Sequence, residues 1–262
     1  MEEGFVEVRD HNIHFIRWGS AGSKILLIHS MGMDAHSMDM LADNLKEEYQ
    51  ILSLTILGHG DSSVPENHIS LPEHAGIIRQ CYTKMDFTPN LLIGHSVGGM
   101  MGMILSAEHP EEHHGLILVD IAPFESSGSS RPAPPDYFAT ETAAREWIRE
   151  RYPGFTDYYI NNRLEYAFLE KDSGYYLKPR GDSIRAGLRI DLWPYVKRMR
   201  VPTLLMIGEN SDLVTPETQK EMERIIPDLV VEVVKDTGHM IPQDKPEKFE
   251  KLVRDFLNKL DL

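Results

Sequence analysis

The stretch Gly94-His95-Ser96-Val97-Gly98-Gly99 holds the residue best placed for covalent chemistry. A short apolar run, Leu91-Leu92-Ile93, leads into it, and an almost wholly apolar run from Met100 to Ala107 leads away. The first reads as a buried strand and the second as a buried helix. Between them the chain must turn sharply with Ser96 at the apex, and glycine two positions to either side leaves room for that turn. The serine hydroxyl then stands at a helix N-terminus, where unpaired backbone N–H groups favour developing negative charge.

A serine hydroxyl is a poor nucleophile until a base takes its proton, and the base is usually a histidine whose tautomer a carboxylate fixes. On a strand-turn-helix nucleophile the acid and then the base follow the serine along the chain. His239 fits the base, because it follows a strand, sits beside Gly238 and lies in a loop. Asp212, after the strand that ends at Gly208, is the acid this reading selects. Asp120, at the end of the strand before, is its rival, and Glu209 is a third candidate. The oxyanion that forms during attack needs two donors. One is expected at the backbone N–H of Val97, and the other at Met31, in the loop that follows the apolar run Lys24 to His29. Ser30, His95, Trp147 and Tyr159 are candidate pocket-lining residues. His109, His113 and His114 cluster at a helix end and read as solvated. With no cluster at metal-ligand spacing, no metal is expected, and chelators should not affect activity.

These residues need strands and helices to bring them together. Phe5–Val8 and Ile13–Trp18 read as a hairpin, with turn residues between them. Lys24–His29, Ile51–Leu54, Leu91–Ile93, Leu116–Val119, Val201–Gly208 and Val230–Val234 read as strands. Helical patterns separate most of them, with Pro72, Pro216 and Pro246 in first turns. This alternation has the spacing of right-handed βαβ units, so a mainly parallel sheet with helices on both faces is expected. Such sheets bind ligands at the C-terminal ends of their strands, where His29, Ser96 and Asp120 fall.

Residues 124–192 break the alternation and are too many for a bare connection. The segment opens with Ser126-Ser127-Gly128-Ser129-Ser130 and then Pro132, Pro134 and Pro135, read as a mobile or extended linker. Thr140 and Thr156 are positioned to cap two helices. Seven of the ten tyrosines, four phenylalanines and Trp147 lie here, which suggests a small helical cap over the strand ends. The alternative is an excursion whose aromatics pack only against one another. The expected organisation is therefore a core of residues 1–123 and 193–262 with a cap of residues 124–192.

The chain of 262 residues carries 41 acidic and 27 basic side chains, a net charge of −14 with histidine neutral. That balance argues against nucleic acid and anionic membranes as partners, since both need a basic patch, and it disfavours anionic substrates. No apolar run is long enough to span a bilayer. The start, Met1-Glu2-Glu3-Gly4, lacks the pattern of a secretory leader, and the single cysteine, Cys81, forms no internal disulfide. A cytoplasmic location is the resulting expectation. Oligomeric state is not legible.

Several pieces together resemble the α/β-hydrolase superfamily. They are His29-Ser30-Met31-Gly32, Gly58-His59-Gly60-Asp61-Ser62, Gly94-His95-Ser96-Val97-Gly98-Gly99, Asp120-Ile121-Ala122-Pro123, Gly208-Glu209-Asn210-Ser211-Asp212 and Gly238-His239. The Asp-Ile-Ala-Pro piece is similar to small cytoplasmic serine esterases of that superfamily. The resemblance implies an α/β-hydrolase fold with a helical cap and a cofactor-free serine hydrolase. Two departures stand out. Ser30 replaces the usual glycine after His29, and its Cβ would either narrow the acyl side of the pocket or shift the oxyanion loop. Thr55 stands where an aspartate is frequent, and a structural effect is expected. The leading expectation is cleavage of small neutral carboxylic esters with short acyl chains through an acyl-enzyme. Hydrolysis of a C–C bond in a ring-cleavage diketo acid, or of a lactone, would use the same triad. A ligand receptor that keeps the fold without turnover is the alternative of another class.

Overall fold

The computed structural model describes residues 1–124, 133–171, 174–181 and 189–262. Ser126–Ser130 and Pro132, read above as a linker, lie outside the described residues.

The apolar runs become an eight-stranded sheet: β1 (Glu2–Val8), β2 (His11–Trp18), β3 (Lys24–Ile28), β4 (Gln50–Leu54), β5 (Leu91–His95), β6 (Gly115–Val119), β10 (Thr203–Gly208) and β11 (Leu229–Val234). Their order is β1-β2-β4-β3-β5-β6-β10-β11. β2 runs antiparallel to β1 and β4, and every other pairing is parallel. The hairpin β1–β2 turns at Arg9-Asp10, both at positive φ, a conformation that aspartate tolerates better than most residues.

Alternation along the strands sends successive side chains to opposite faces, and both faces are buried. Leu26, Ile28, Leu92, Leu116, Leu118 and Leu205 pack against α2 (Leu71–Lys84) and α3 (Val97–Glu108). Ile25, Leu27, Leu91, Ile93, Ile117 and Met206 face α1 (Asp39–Leu45) and the terminal helix α6 (Pro246–Lys259). Burying each such side chain stabilises the fold by roughly 1.5–3 kcal/mol. α2 begins where Pro72 indicated, behind a capping box formed by Ser70 and Glu73. Cys81 is buried on this helix, and burial pushes its thiol up to about 12. His113 is also buried, with Nδ1 3.2 Å from the Pro89 carbonyl, so the expectation that it is solvated does not hold.

Between β6 and β10 the chain forms a separate layer. Thr140 caps α4 (Glu141–Arg151) and Thr156 caps α5 (Asp157–Tyr166), each accepting a backbone N–H three residues on. The layer is not purely helical, because β7 (Tyr137–Phe138), β8 (Phe168–Lys171) and β9 (Gly174–Leu177) form a small antiparallel sheet. It has its own core of Phe138, Ala144, Ile148, Phe155, Tyr159, Ile160 and Phe168. Met33, from the loop after β3, joins that core and fastens the layer to the main sheet. A second fastening pairs His59 with Arg180, with Gly60 N–H donating to Pro179 and Gly181 N–H to Gly58. Gly181 needs glycine twice over. Its φ is +80°, and a Cβ there would overlap the His59 ring.

Candidate active site

Ser96 links β5 to α3 at φ 54° and ψ −117°, a strained conformation for a residue with a side chain. Its surroundings enforce the strain. A Cβ at Gly98 would strike the Ile28 carbonyl, and one at Gly94 would strike the Gly98 carbonyl. The helix therefore packs directly on the end of β3, and Ser96 is left half-buried while its neighbours are buried. Val97 is the first residue of α3, so its N–H is one of the unpaired donors at that helix end.

The loop after β3 is braced from below. His29 is fully buried, with Nδ1 2.8 Å from the Ser30 carbonyl and Nε2 accepting the Ile56 N–H at 2.9 Å. Burial lowers its pKa from 6.5 to about 4, so it is neutral and serves as a structural strut. Met33 N–H also donates to the Ser30 carbonyl. From the cap, Arg163 donates to the Gly32 carbonyl at 2.5 Å and lies 3.5 Å from Asp34 Oδ2. Met31 is thus held in a loop fixed at the residues on both sides, as a backbone oxyanion donor requires.

His239 lies in the loop between β11 and the single-turn helix Ile241–Asp244 that precedes α6. Its Nδ1 is 2.7 Å from Oδ2 of Asp120. Asp120 is fully buried and also accepts the Gly208 N–H at 3.0 Å and the Ser211 hydroxyl at 2.6 Å. The acid assignment to Asp212 is therefore corrected to Asp120, the rival. Asp212 is exposed, and the loop after β10 contributes a backbone N–H and a hydroxyl to the carboxylate of the preceding strand instead. Asp120 reaches this position from a left-handed φ of 48° at the end of β6.

Of the pocket-lining candidates, His95 has a clear role. It is buried, its Nε2 lies 2.8 Å from the His239 carbonyl, and the two rings stand 4.8 Å apart. Burial, then the neighbouring His239, holds its pKa well below the usual histidine range. A neutral His95 that donates from Nε2 fixes the backbone of His239. Ser30 is buried beside the loop, and its Oγ has no hydrogen-bond partner among the described residues. Tyr159 lines a cavity of about 10 Å³, room for about one water, with Met33, Asp34, Asn162, Arg163 and Gln243. Trp147 packs against Phe138, Tyr152 and Phe168, within the cap's own aromatic core. For Trp147 the structure matches the alternative in which cap aromatics pack on one another.

A strained serine after β5, a buried carboxylate after the neighbouring strand β6 and a histidine after β11, two strands further on, are the parts a serine hydrolase of this fold uses. The profile of the alpha/beta hydrolase family matches residues 25–252. The chain belongs to that family. It is similar to a 2-(acetamidomethylene)succinate hydrolase of Mesorhizobium japonicum, 24% identical over 93% of this chain and 91% of that protein. It is also similar to an esterase of Mycobacterium tuberculosis, 25% identical over 94% of this chain and 86% of the esterase. A solved structure of an E-2-(acetamidomethylene)succinate hydrolase superposes with a TM-score of 0.87 at 23% identity, covering 98% of this chain and 99% of the other. No helix among the described residues is long and apolar enough to cross a membrane.

Proposed function

We propose that this alpha/beta hydrolase is a cytoplasmic serine esterase that cleaves small neutral esters with short acyl chains. The observation that carries the reading is the His239–Asp120 contact of 2.7 Å, with the strained Ser96 at the end of the strand next to that of Asp120. In this mechanism His239 takes the Ser96 proton as Oγ attacks the carbonyl carbon. Asp120 holds the imidazole in the required tautomer and stabilises the imidazolium that forms. The amides of Met31 and Val97 receive the negative charge on the carbonyl oxygen. Collapse of the tetrahedral intermediate expels the alcohol, which His239 protonates. A water activated by His239 then releases the acid and restores Ser96.

The preference for neutral substrates rests on charge. Arg163 is matched to Asp34 and the Gly32 carbonyl, Arg145 to Glu141 and Asn161, Arg149 to Asp157 and Arg180 to Asp136. A net charge of −14 adds long-range repulsion of anions. The short acyl preference rests on the Ser30 side chain beside the oxyanion loop.

A second reading, hydrolysis of a carboxylate-bearing substrate, is favoured by the similarity to the 2-(acetamidomethylene)succinate hydrolase along nearly the whole chain. The test is a panel of activated esters of graded acyl length, run beside 2-(acetamidomethylene)succinate and a ring-cleavage diketo acid. Esters with acyl chains of about two to six carbons should have the highest kcat/KM. A tenfold or greater advantage for long-chain esters or for either acid would reject the short-ester reading.

A further inference from the structure

Three side chains from distant parts of the chain meet at the N-terminal hairpin. Glu3 stands on β1 and His14 on β2, while His36 lies in the single-turn 3-10 helix Ala35–Met38 that follows the Met31 loop. Register brings Glu3 and His14 together. Glu3 pairs with Ile16 and Phe5 with His14, so Glu3 and His14 are diagonal neighbours on one face. One carboxylate oxygen and two ring nitrogens lie within 4.8 Å of one another. Glu3 Oε1 is 2.9 Å from His14 Nε2 and 3.6 Å from His36 Nε2. With metal–ligand bonds of about 2.0–2.1 Å, ligand atoms in a tetrahedral site stand roughly 3.3–3.4 Å apart. The observed separations bracket that spacing.

The outer contacts are those a metal site needs. A ligating imidazole is normally fixed through its other nitrogen. His36 Nδ1 lies 2.8 Å from Asp39 Oδ2, and Asn162 of α5 donates to the same oxygen at 3.2 Å. The Tyr166 ring stacks on His36 at 3.4 Å. His14 Nδ1 lies 2.9 Å from the Thr55 hydroxyl, which also accepts the Ala35 N–H at 3.0 Å. Both rings are buried, so their Nε2 atoms cannot swing away. The Glu3 side chain is 44% exposed and leaves a route in from solvent. A second cluster, His109, Glu111 and Glu112, lacks this order, since Glu112 is already committed to Arg79 and Tyr82.

We propose that Glu3 Oε1, His14 Nε2 and His36 Nε2 bind one zinc-class divalent ion, with water in the fourth position. Two imidazoles and one carboxylate suit Zn²⁺, Co²⁺ or Ni²⁺ and disfavour Ca²⁺ and Mg²⁺. Binding requires both Nε2 atoms to be unprotonated, with the remaining ring protons on Nδ1, facing Thr55 Oγ1 and Asp39 Oδ2. The ion would tie the hairpin to the segment after the Met31 loop and, through Asn162 and Tyr166, to α5 of the cap. None of its ligands belongs to the Ser96–His239–Asp120 arrangement, so its role is structural.

The test is titration of the metal-free protein with Zn²⁺ against a chromophoric chelator, and with Co²⁺ by visible absorbance. One ion per chain should bind, and the Co²⁺ complex should show the intense bands of four-coordinate cobalt. Free Zn²⁺ at a hundredfold excess over Kd should raise Tm by roughly 5 °C. Glu3→Ala and His36→Gln should each weaken Zn²⁺ binding at least tenfold, and Glu3→Ala should keep its esterase activity. Should His36→Gln fail to fold, Glu3→Ala alone decides, because that side chain is half-exposed. Absence of saturable Zn²⁺ uptake by the wild type, or unchanged affinity in Glu3→Ala, overturns the proposal. Neither outcome depends on the identity of the hydrolysed substrate.

Discussion

At the scale of single residues, the account turns on which aspartate serves His239. Asp120→Asn keeps the shape of the buried site but removes the charge that fixes the His239 tautomer. Turnover of a short-chain ester should fall by about 10⁴. Asp212→Asn changes an exposed side chain and should alter turnover less than threefold. Steady-state kinetics on the two variants separates them, and a reversed order would return the acid to the later strand. Ser96 and His239 were legible in the sequence because each has a local signature, a Gly-x-Ser-x-Gly turn and a Gly-His loop after a strand. The acid has none. Asp120 and Asp212 both follow strands, and only the path of the loop after β10 decides between them. That loop turns so that Ser211 and the Gly208 N–H meet Asp120 while Asp212 faces solvent. His95 was named for its place beside Ser96, and its bond to the His239 carbonyl could be found only in three dimensions.

At the scale of elements, the turn at Ser96 depends on how closely α3 approaches β3. Gly98→Ala would drive a methyl group into the carbonyls of Ile28 and His29, which are backbone and cannot rotate away. It should destabilise the protein by about 2–3 kcal/mol and lower activity as the helix start shifts from Ser96. Gly76→Ala provides the contrast. Gly76 lies inside α2, and the nearest atom to an added Cβ is 3.7 Å away, on the Arg9 side chain. Alanine there should stabilise by about 0.5–1 kcal/mol. Urea unfolding of both variants checks the pair, and destabilisation by Gly76→Ala or neutrality of Gly98→Ala would count against it. The strands and long helices were readable from period and caps, including those set by Thr140, Thr156 and Pro72. The three short cap strands were not, since Tyr137–Phe138, Phe168–Lys171 and Gly174–Leu177 are too brief to carry a period. The Glu3–His14–His36 cluster left no spacing signature because sheet register and a loop assemble it.

At the scale of the whole molecule, buried histidines link stability to pH. Burial lowers His29 and His74 from 6.5 to about 4, and it holds His59 and His95 well below 6.5. In the unfolded chain these groups take up protons near pH 6.5, whereas the folded protein resists. Stability is therefore full above about pH 6.5 and falls as pH drops toward 4. His29 and His74 should each remove roughly 2 kcal/mol between pH 7.5 and pH 5. His36, raised by Asp39 against the effect of its burial, works in the opposite direction and offsets part of the loss. Urea midpoints at the two pH values should show a lower value at pH 5, and an equal or higher one would contradict this sign. The same folded molecule must present one activated serine at the strand ends, and covalent labelling reads that directly. The wild type is treated with a fluorophosphonate, and the modified peptide is located by mass spectrometry. The account predicts one adduct per chain, on Ser96, with labelling abolished in Ser96→Ala and greatly slowed in Asp120→Asn, while Asp212→Asn labels like the wild type. An adduct on another serine, or full-rate labelling of Asp120→Asn, would contradict it.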